Sequence, residues 1–230
     1  MRVWVTRASP GAEATAARLT DLGHQPLAAP VLVARPIAGA RLDFRGVGAL
    51  AFTSANAVAA FAARYPLGAR NLPVFAVGET TAAAARDAGF MEVTSADGDV
   101  RALAELILAQ REAFRGGLLH PSAKEPAGDL AATLRADGLE AASTPIYETV
   151  EATAMPAPAA AALVEGALDA VLIHSPKAAR ALVRLTSGLA SGLRAFALSE
   201  ACAAPLRAAG FESVAVSPHP AEADLLALLT

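Results

Sequence analysis

The sequence predicts an α/β protein of two similar parallel-sheet domains, flavodoxin-like or related, nested in one chain and joined by two extended interdomain segments. Two observations lead there. Short apolar runs alternate with alanine-rich helical stretches, the pattern of βαβ units whose strands lie parallel. One such unit also recurs: Leu50-Ala51-Phe52-Thr53-Ser54-Ala55-Asn56-Ala57 returns as Val171-Leu172-Ile173-His174-Ser175-Pro176-Lys177-Ala178. The offset of 121 residues (174 less 53) then holds without a gap through Phe75/Phe196, Glu79/Glu200, Arg86/Arg207, Gly89/Gly210, Phe90/Phe211 and Val93/Val214. Each copy is an apolar run that stops at polar residues ahead of an alanine-rich stretch, which reads as a buried strand, a tight turn and a helix N-terminus. Turns at the carboxyl ends of strands are where α/β sheets bind ligands.

In chain order, a strand at 3–5 leads through Ser9-Pro10-Gly11-Ala12-Glu13 into a helix that ends near Gly23, with Pro at its start and Gly past its end. Residues 26–34 are extended, and Pro30 and Pro36 flank Val31-Leu32-Val33, a strand or a connector. Strands at 49–53, 74–77 and 91–94 then alternate with helices at 55–65 and 79–88. Val100, Leu103, Ala104, Leu106 and Ile107 are spaced for a helix over 99–112. Gly117-Leu118-Leu119-His120 is the next strand, and Pro121-Ser122-Ala123-Lys124-Glu125-Pro126 a turn opening a helix at 127–136. The extended piece 143–150 mirrors 29–33, Met155-Pro156-Ala157-Pro158 marks a linker or helix entry, and a last helix spans 221–229. Gly23, Gly89, Gly138 and Gly210 each lie just past an apolar-periodic helix, where a left-handed cap is needed. With 30–35 and 143–150 as crossings, one domain is 1–34 plus 151–230 and the other, inserted, is 36–142, with a cleft between the lobes. A single doubly wound sheet is the alternative, and the gapless repeat disfavours it.

Composition narrows the function. A chain of 230 residues, 54% hydrophobic and 18% charged, is a compact globular protein. Its net charge of −3 offers no long-range attraction to nucleic acid or an anionic membrane. Cys202 is the single cysteine, which excludes an intrachain disulfide and a multi-thiolate metal site and suits a reducing cytoplasm. The N-terminus enters a strand at once without the apolar core of a signal peptide, and every long apolar window is interrupted by polar residues or prolines. His120 and His174 both follow strands but lack carboxylate or cysteine companions at metal-ligand spacing, so no metal is expected. No Walker A loop, GxGxxG, GxSxG or HExxH is present.

Val5-Thr6-Arg7, Phe52-Thr53-Ser54-Ala55-Asn56-Ala57-Val58, Ala76-Val77-Gly78-Glu79-Thr80-Thr81-Ala82, Pro145-Ile146-Tyr147-Glu148-Thr149 and His174-Ser175-Pro176, in this order and spacing, resemble the uroporphyrinogen-III synthase family over essentially the whole chain. The resemblance implies two α/β domains joined by paired extended strands, a cleft between them, and a reaction without cofactor. That reaction takes linear hydroxymethylbilane, assists loss of its hydroxyl, inverts the last pyrrole ring through a spirocyclic intermediate and closes the macrocycle to uroporphyrinogen III. It also singles out Tyr147 as the group assisting hydroxyl departure, as hydrogen-bond donor or weak acid. A half-buried aromatic tying two strands together is the other reading of Tyr147. Where many relatives have threonine this chain has Cys202, and where the family has glycine it has Ser199, so a hydroxyl-specific role at 202 is in doubt and backbone approach at 199 is tighter.

The residues themselves agree with an anionic ligand. A polycarboxylate bound by a net-negative protein must be recognised locally, and helix N-termini offer free N–H groups and partial positive charge. The turns at 53–56, 78–81, 121–124, 174–177 and 199–202 are the candidates, which places Thr53, Ser54, Thr80, Thr81, Ser122, Ser175 and Ser199 at the substrate; helix capping alone accounts for any one of them. Lys124 and Lys177, the only lysines, fall in such turns, and Arg7 follows the first strand; each is a substrate contact or a solvated turn residue. The expected protein is a cytoplasmic monomer that binds a small molecule and neither nucleic acid nor membrane. Two rival classes are a two-lobed binding protein without catalysis, which is usually exported, and the ligand-binding half of a regulator, which needs a DNA-binding domain beyond Thr230.

Overall fold

The computed structural model describes residues 1–65, 67–126 and 128–229. In chain order they form β1 (Arg2–Val5), α1 (Gly11–Asp21), β2 (Gln25–Ala28), β3 (Leu32–Pro36), β4 (Val47–Phe52), α2 (Ala55–Ala62), β5 (Val74–Ala76), α3 (Glu79–Asp87), β6 (Val93–Ser95) and α4 (Val100–Ala109). Then follow β7 (Gly117–Ala123), α5 (Leu130–Ala136), β8 (Ala141–Glu151), α6 (Ala157–Val164), β9 (Ala170–Ile173), α7 (Pro176–Thr186), β10 (Arg194–Ala197), α8 (Glu200–Ala208), β11 (Ser213–Val216) and α9 (Glu222–Ala227). The chain divides into two compact units, Met1–Val33 with Val150–Thr230 and Ala34–Thr149.

The first unit holds a five-stranded sheet in the order β11-β10-β9-β1-β2, with every neighbouring pair parallel. Its inner strands β1, β9 and β10 are buried on both faces, as helices on each side of a parallel sheet require. Period-two alternation sends Val3, Val5, Ala170 and Leu172 to one face, where Leu19 of α1 and Leu225 and Leu226 of α9 cover them. Trp4, Val171 and Ile173 face the other way, against Ala162 of α6, Leu182 of α7 and Leu206 of α8. Two buried polar groups are paired as burial demands: Trp4 Nε1 donates to the Ala29 carbonyl at 2.7 Å, and Thr6 Oγ1 to the Leu172 carbonyl at 2.6 Å.

The second unit has the order β3-β8-β7-β4-β5-β6, with β8 to β6 parallel throughout. Ala49, Ala51, Phe75 and Leu118 pack under Leu103 and Ile107 of α4 and Leu130 and Leu134 of α5. Leu50, Phe52, Val74 and Leu119 pack under Val58 and Phe61 of α2 and Ala85 of α3. Edge-to-face contacts of Phe52 with Phe61 (5.5 Å) and Phe90 (5.8 Å) lock this side. Around β3 and β8, Ile37 N–H donates to the Ile146 carbonyl and Ala152 N–H to the Val31 carbonyl, both at 2.9 Å, so numbers rise on one segment as they fall on the other.

The extended 26–34 stretch resolves into β2 and the start of β3, so that of Val31-Leu32-Val33 the last two are strand residues. The strand read as 117–120 runs on to Ala123, so Ser122 lies inside β7 and not in a turn, and His120 is a strand residue. The helix expected from 127 starts at Leu130 with Asp129 as its cap; residue 127 lies outside the described residues. The four expected glycine caps are left-handed, with φ of +79°, +90°, +80° and +82° at Gly23, Gly89, Gly138 and Gly210. Each closes with the paired bonds of a Schellman motif, as in Gly23 N–H to Thr20 and His24 N–H to Leu19. A fifth, at Gly166 after α6, follows the same pattern.

Close backbone approach generates a stability test. A Cβ on Gly48 would fall 2.0 Å from the Arg115 carbonyl oxygen, where neither partner is a movable side chain, whereas Gly192 faces open space. Gly48→Ala is expected to lower unfolding free energy by about 1–3 kcal/mol or more and Gly192→Ala to stay within about 0.5 kcal/mol, both read from urea midpoints.

Candidate functional site

In each unit the order of strands reverses at one place. The chain leaves β1 for β2 on one side and later lays β9, β10 and β11 on the other; likewise β4, β5 and β6 run one way while β7 and β8 lie on the opposite side of β4. Loops at the carboxyl ends of β1/β9 and β4/β7 therefore splay apart and leave crevices, the switch points at which open α/β sheets take ligands.

At the β4/β7 reversal the sequence-selected Thr53 follows β4 and its Oγ1 lies 3.0 Å from Nε2 of His120. Nδ1 of the same ring lies 2.9 Å from Ser143 Oγ on β8. His120 is 1% exposed. Burial holds its imidazole down to about pKa 4, against a smaller opposing pull from Asp129, so the ring is neutral and bridges two hydroxyls. Ser54, next to Thr53, caps α2 by accepting from Asn56 N–H at 3.1 Å and lies near the Tyr147 phenol. Tyr147 is 5% exposed and packs in the cluster of Leu50, Phe52, Phe61 and Leu119. Burial raises its pKa, with the Ser54 contact pulling weakly the other way.

The placement of Tyr147 follows from a bulge. Ser122 pairs with Pro145 but Ala123 pairs with Tyr147, so β8 carries one residue more than β7 there. That extra residue breaks the alternation and brings Ile146 and Tyr147 to the same core cluster. Beside the bulge, Ser122, Lys124, Pro126, Asp129, Ser143 and Pro145 line a pocket of 390 Å³. Ser122 is 2% exposed, and Lys124 Nζ is 3.0 Å from Glu148 Oε2.

The remaining candidates lie apart from this network. Among the seven hydroxyls, Ser54 and Ser175 cap helices with their side chains; Ser175 accepts from Ala178 N–H at 3.1 Å. Thr80 and Thr81 sit in the first turn of α3 after a Gly78 cap, the former exposed and the latter buried. Ser199 holds the cap position of α8 but donates to Cys202 Sγ at 3.2 Å, so the position matching the repeat's Thr81 is a thiol paired with a hydroxyl. Lys177 lies in the first turn of α7.

Arg7, at the β1/β9 reversal, meets a carboxylate of its own chain. Its Nη1 lies 3.1 Å from Glu222 Oε1, which also accepts from Thr15, while Arg18 pairs with Oε2. His174 Nε2 is 3.4 Å from the same Oε1 but off the line of a hydrogen bond, so its pull on the carboxylate is that of a nearby polar ring. Burial by itself raises the Glu222 carboxyl; His174, Thr15, Arg7 and Arg18 together more than cancel it and hold it at about 2. Ser143, Thr15, Arg18 and Glu222 are not among the residues the sequence singled out, and His120 was weighed there only as a metal ligand, because none of their partners is near in sequence. The repeat did hold one signal: it equates His174 with Thr53, the two residues that leave the inner strands at the two reversals. Among the described residues no group of three His, Cys, Asp or Glu can hold a metal, and no helix is long and apolar enough to cross a membrane.

The family profile described as uroporphyrinogen-III synthase HemD matches residues 13–227. No curated protein matches. Among solved structures, the uroporphyrinogen-III synthetase of Helicobacter pylori superposes with a TM-score of 0.59 at 19% identity, covering 99% of this chain and 97% of that one. The wild-type uroporphyrinogen III synthase of Thermus thermophilus gives 0.44 at 21% identity over 100% and 96%. The first likeness establishes the same two-domain α/β fold.

The neutral, buried imidazole predicts a pH signature. Unfolded histidine titrates near 6.5, the folded ring near 4, so the unfolded chain binds the extra proton first. The stability His120 contributes is thus complete above pH 6.5 and is lost as pH falls towards 4, by about 3 kcal/mol in all. His120→Asn should flatten denaturant midpoints across that window, whatever its offset at pH 7.

Proposed function

The chain belongs to the uroporphyrinogen-III synthase family, and from that premise we propose that it is a cyclising lyase that converts linear hydroxymethylbilane to uroporphyrinogen III with loss of water and inversion of the last pyrrole ring. The family match over residues 13–227 of 230 carries this reading and places the protein among enzymes of heme biosynthesis. A small-molecule tetrapyrrole is the substrate. We take the working form to be a cytoplasmic monomer, which a single buried Cys202 suits.

In this reading Tyr147 assists departure of the hydroxyl. Burial raises its pKa, so the phenol is protonated throughout the neutral range and available as a donor. The hydroxyl leaves as water when a proton reaches it, and the proton released from the attacking pyrrole carbon on ring closure restores the balance. Ser54, the N-cap of α2, lies near the phenol. His120 fixes the Thr53 hydroxyl one residue away, so backbone and side-chain donors at the end of β4 are set before substrate arrives. Carboxylates are taken by free N–H groups at the starts of α2, α3, α7 and α8, with Thr53, Ser54, Thr80, Thr81, Ser122, Ser175 and Ser199 beside them and Lys124, Lys177 and Arg7 adding charge. Hydroxymethylbilane closes unaided to the wrong isomer, so holding one conformation is itself much of the catalysis.

Isomer analysis tests the function. Purified protein given hydroxymethylbilane should yield, after oxidation, mainly type III porphyrin; type I alone, as without protein, would overturn the assignment. Tyr147→Phe keeps the ring and should lower turnover by roughly 10- to 1000-fold at unchanged KM. Unaltered turnover in that variant would leave Tyr147 a packing residue, whose loss in Tyr147→Ala shows only as a cavity-sized drop in stability of about 3–5 kcal/mol.

A further inference from the structure

We propose that the β1/β9 crevice, lined by Arg7, Thr15, Arg18 and His174, is a carboxylate-binding site that Glu222 occupies in the free protein and yields to a carboxylate of the ligand. The geometry is that of a built anion site. Arg7 leaves the end of β1 and His174 the end of β9, the central pair of the sheet where its winding reverses. Thr15, fully buried on α1, donates its hydroxyl into the same place, and Arg18 closes it from one turn further along. Gly11 is shaped to Arg7, since a Cβ there would fall 2.6 Å from its Nε. His174 has only 8% of its side chain exposed, its Nε2 lies 3.4 Å from Glu222 Oε1, and neither ring nitrogen has a hydrogen-bond partner among the described residues. That unsatisfied ring, buried beside the carboxylate, marks a polar set larger than Glu222 satisfies.

Glu222 can leave without unfolding anything. It is the first residue of α9, and the helix is anchored further along by Leu225 and Leu226, both buried. Residues 219–221 before it are exposed. Rotation of one side chain vacates the crevice and leaves two guanidiniums facing it. The equivalent crevice at β4/β7 is closed by a neutral histidine and two hydroxyls and holds no internal carboxylate among guanidiniums. An internal carboxylate in place about 90–99% of the time weakens apparent affinity for an external one by about 10- to 100-fold. This deepens the synthase reading, whose substrate is a polycarboxylate, but its test does not use turnover.

The probe is 1,2,3-propanetricarboxylate, with binding followed by calorimetry at pH 7. Glu222→Gln is expected to bind it at least about 10-fold more tightly than the wild type, and adding Arg7→Met to that variant should abolish the gain. Equal affinity of wild type and Glu222→Gln, or a gain indifferent to Arg7, would overturn the proposal. Should Glu222→Gln not fold, the wild type decides: the Glu222 carboxyl carbon and Arg7 Nε resonances should shift together on adding the probe, and their remaining fixed at saturation would also overturn it. Failure of the isomer assay would refute the synthase reading and leave these binding outcomes as they stand.

Discussion

The hydrogen bonding of two central parallel pairs, β1 to β9 and β4 to β7, is the constraint from which the rest follows. A parallel pair cannot be joined by a hairpin, so each connection must pass over a face of the sheet in a helix. Helices on both faces demand strands that are apolar on both sides, and the fully buried Val3, Trp4 and Val5 or Ala49, Leu50 and Ala51 meet that demand. β4 and β9 carry no polar side chain, and in β7 the polar His120 and Ser122 enter only from its middle onward, both buried. Polar chemistry is therefore pushed to their carboxyl ends, and most of all to the ends of the inner pair, where the adjoining loops turn away in opposite directions.

The two units resolve that common situation differently. At β4/β7 the crevice is filled by a desolvated imidazole held between hydroxyls, a network of neutral groups that is strong because it is dry and fully paired. At β1/β9 it is filled by a carboxylate among two guanidiniums, a hydroxyl and an imidazole. The first arrangement pins side chains in place around Ser54 and Tyr147. The second balances charge, and the balance is adjustable because Glu222 sits at the free end of a short helix rather than on a strand.

Such a division bears on how a net-negative protein receives a polyanion. Long-range attraction is absent, so the affinity has to arise from short-range donors positioned in advance. Backbone N–H groups at helix starts are fixed by the fold itself, and substitution of one neighbouring hydroxyl does not remove them. Two hydroxyls are committed to capping, at Ser54 and Ser175, while Ser199 turns to Cys202 and leaves its helix start to backbone donors alone.

Fold class, the succession of strands and helices along the chain and the four glycine-capped helix ends were legible in the sequence, because each rests on local rules. Period-two and period-3.6 burial mark the elements, and a glycine at positive φ marks four helix ends whatever lies beyond them. The 121-residue repeat added the likeness of the two sheets. Two features depended on partners distant in sequence and were decided only by tertiary structure. The bulge that brings Tyr147 to the side of Ile146 exists only in the pairing of β7 with β8, since one extra residue has meaning only against a partner strand. The pairing of Arg7 with Glu222, 215 residues apart, and of Thr53 with His120, 67 apart, likewise needed the sheet order, because no local pattern encodes which charge or hydroxyl another will face. Local chemistry named candidate polar residues; the winding of the sheets determined which of them meet.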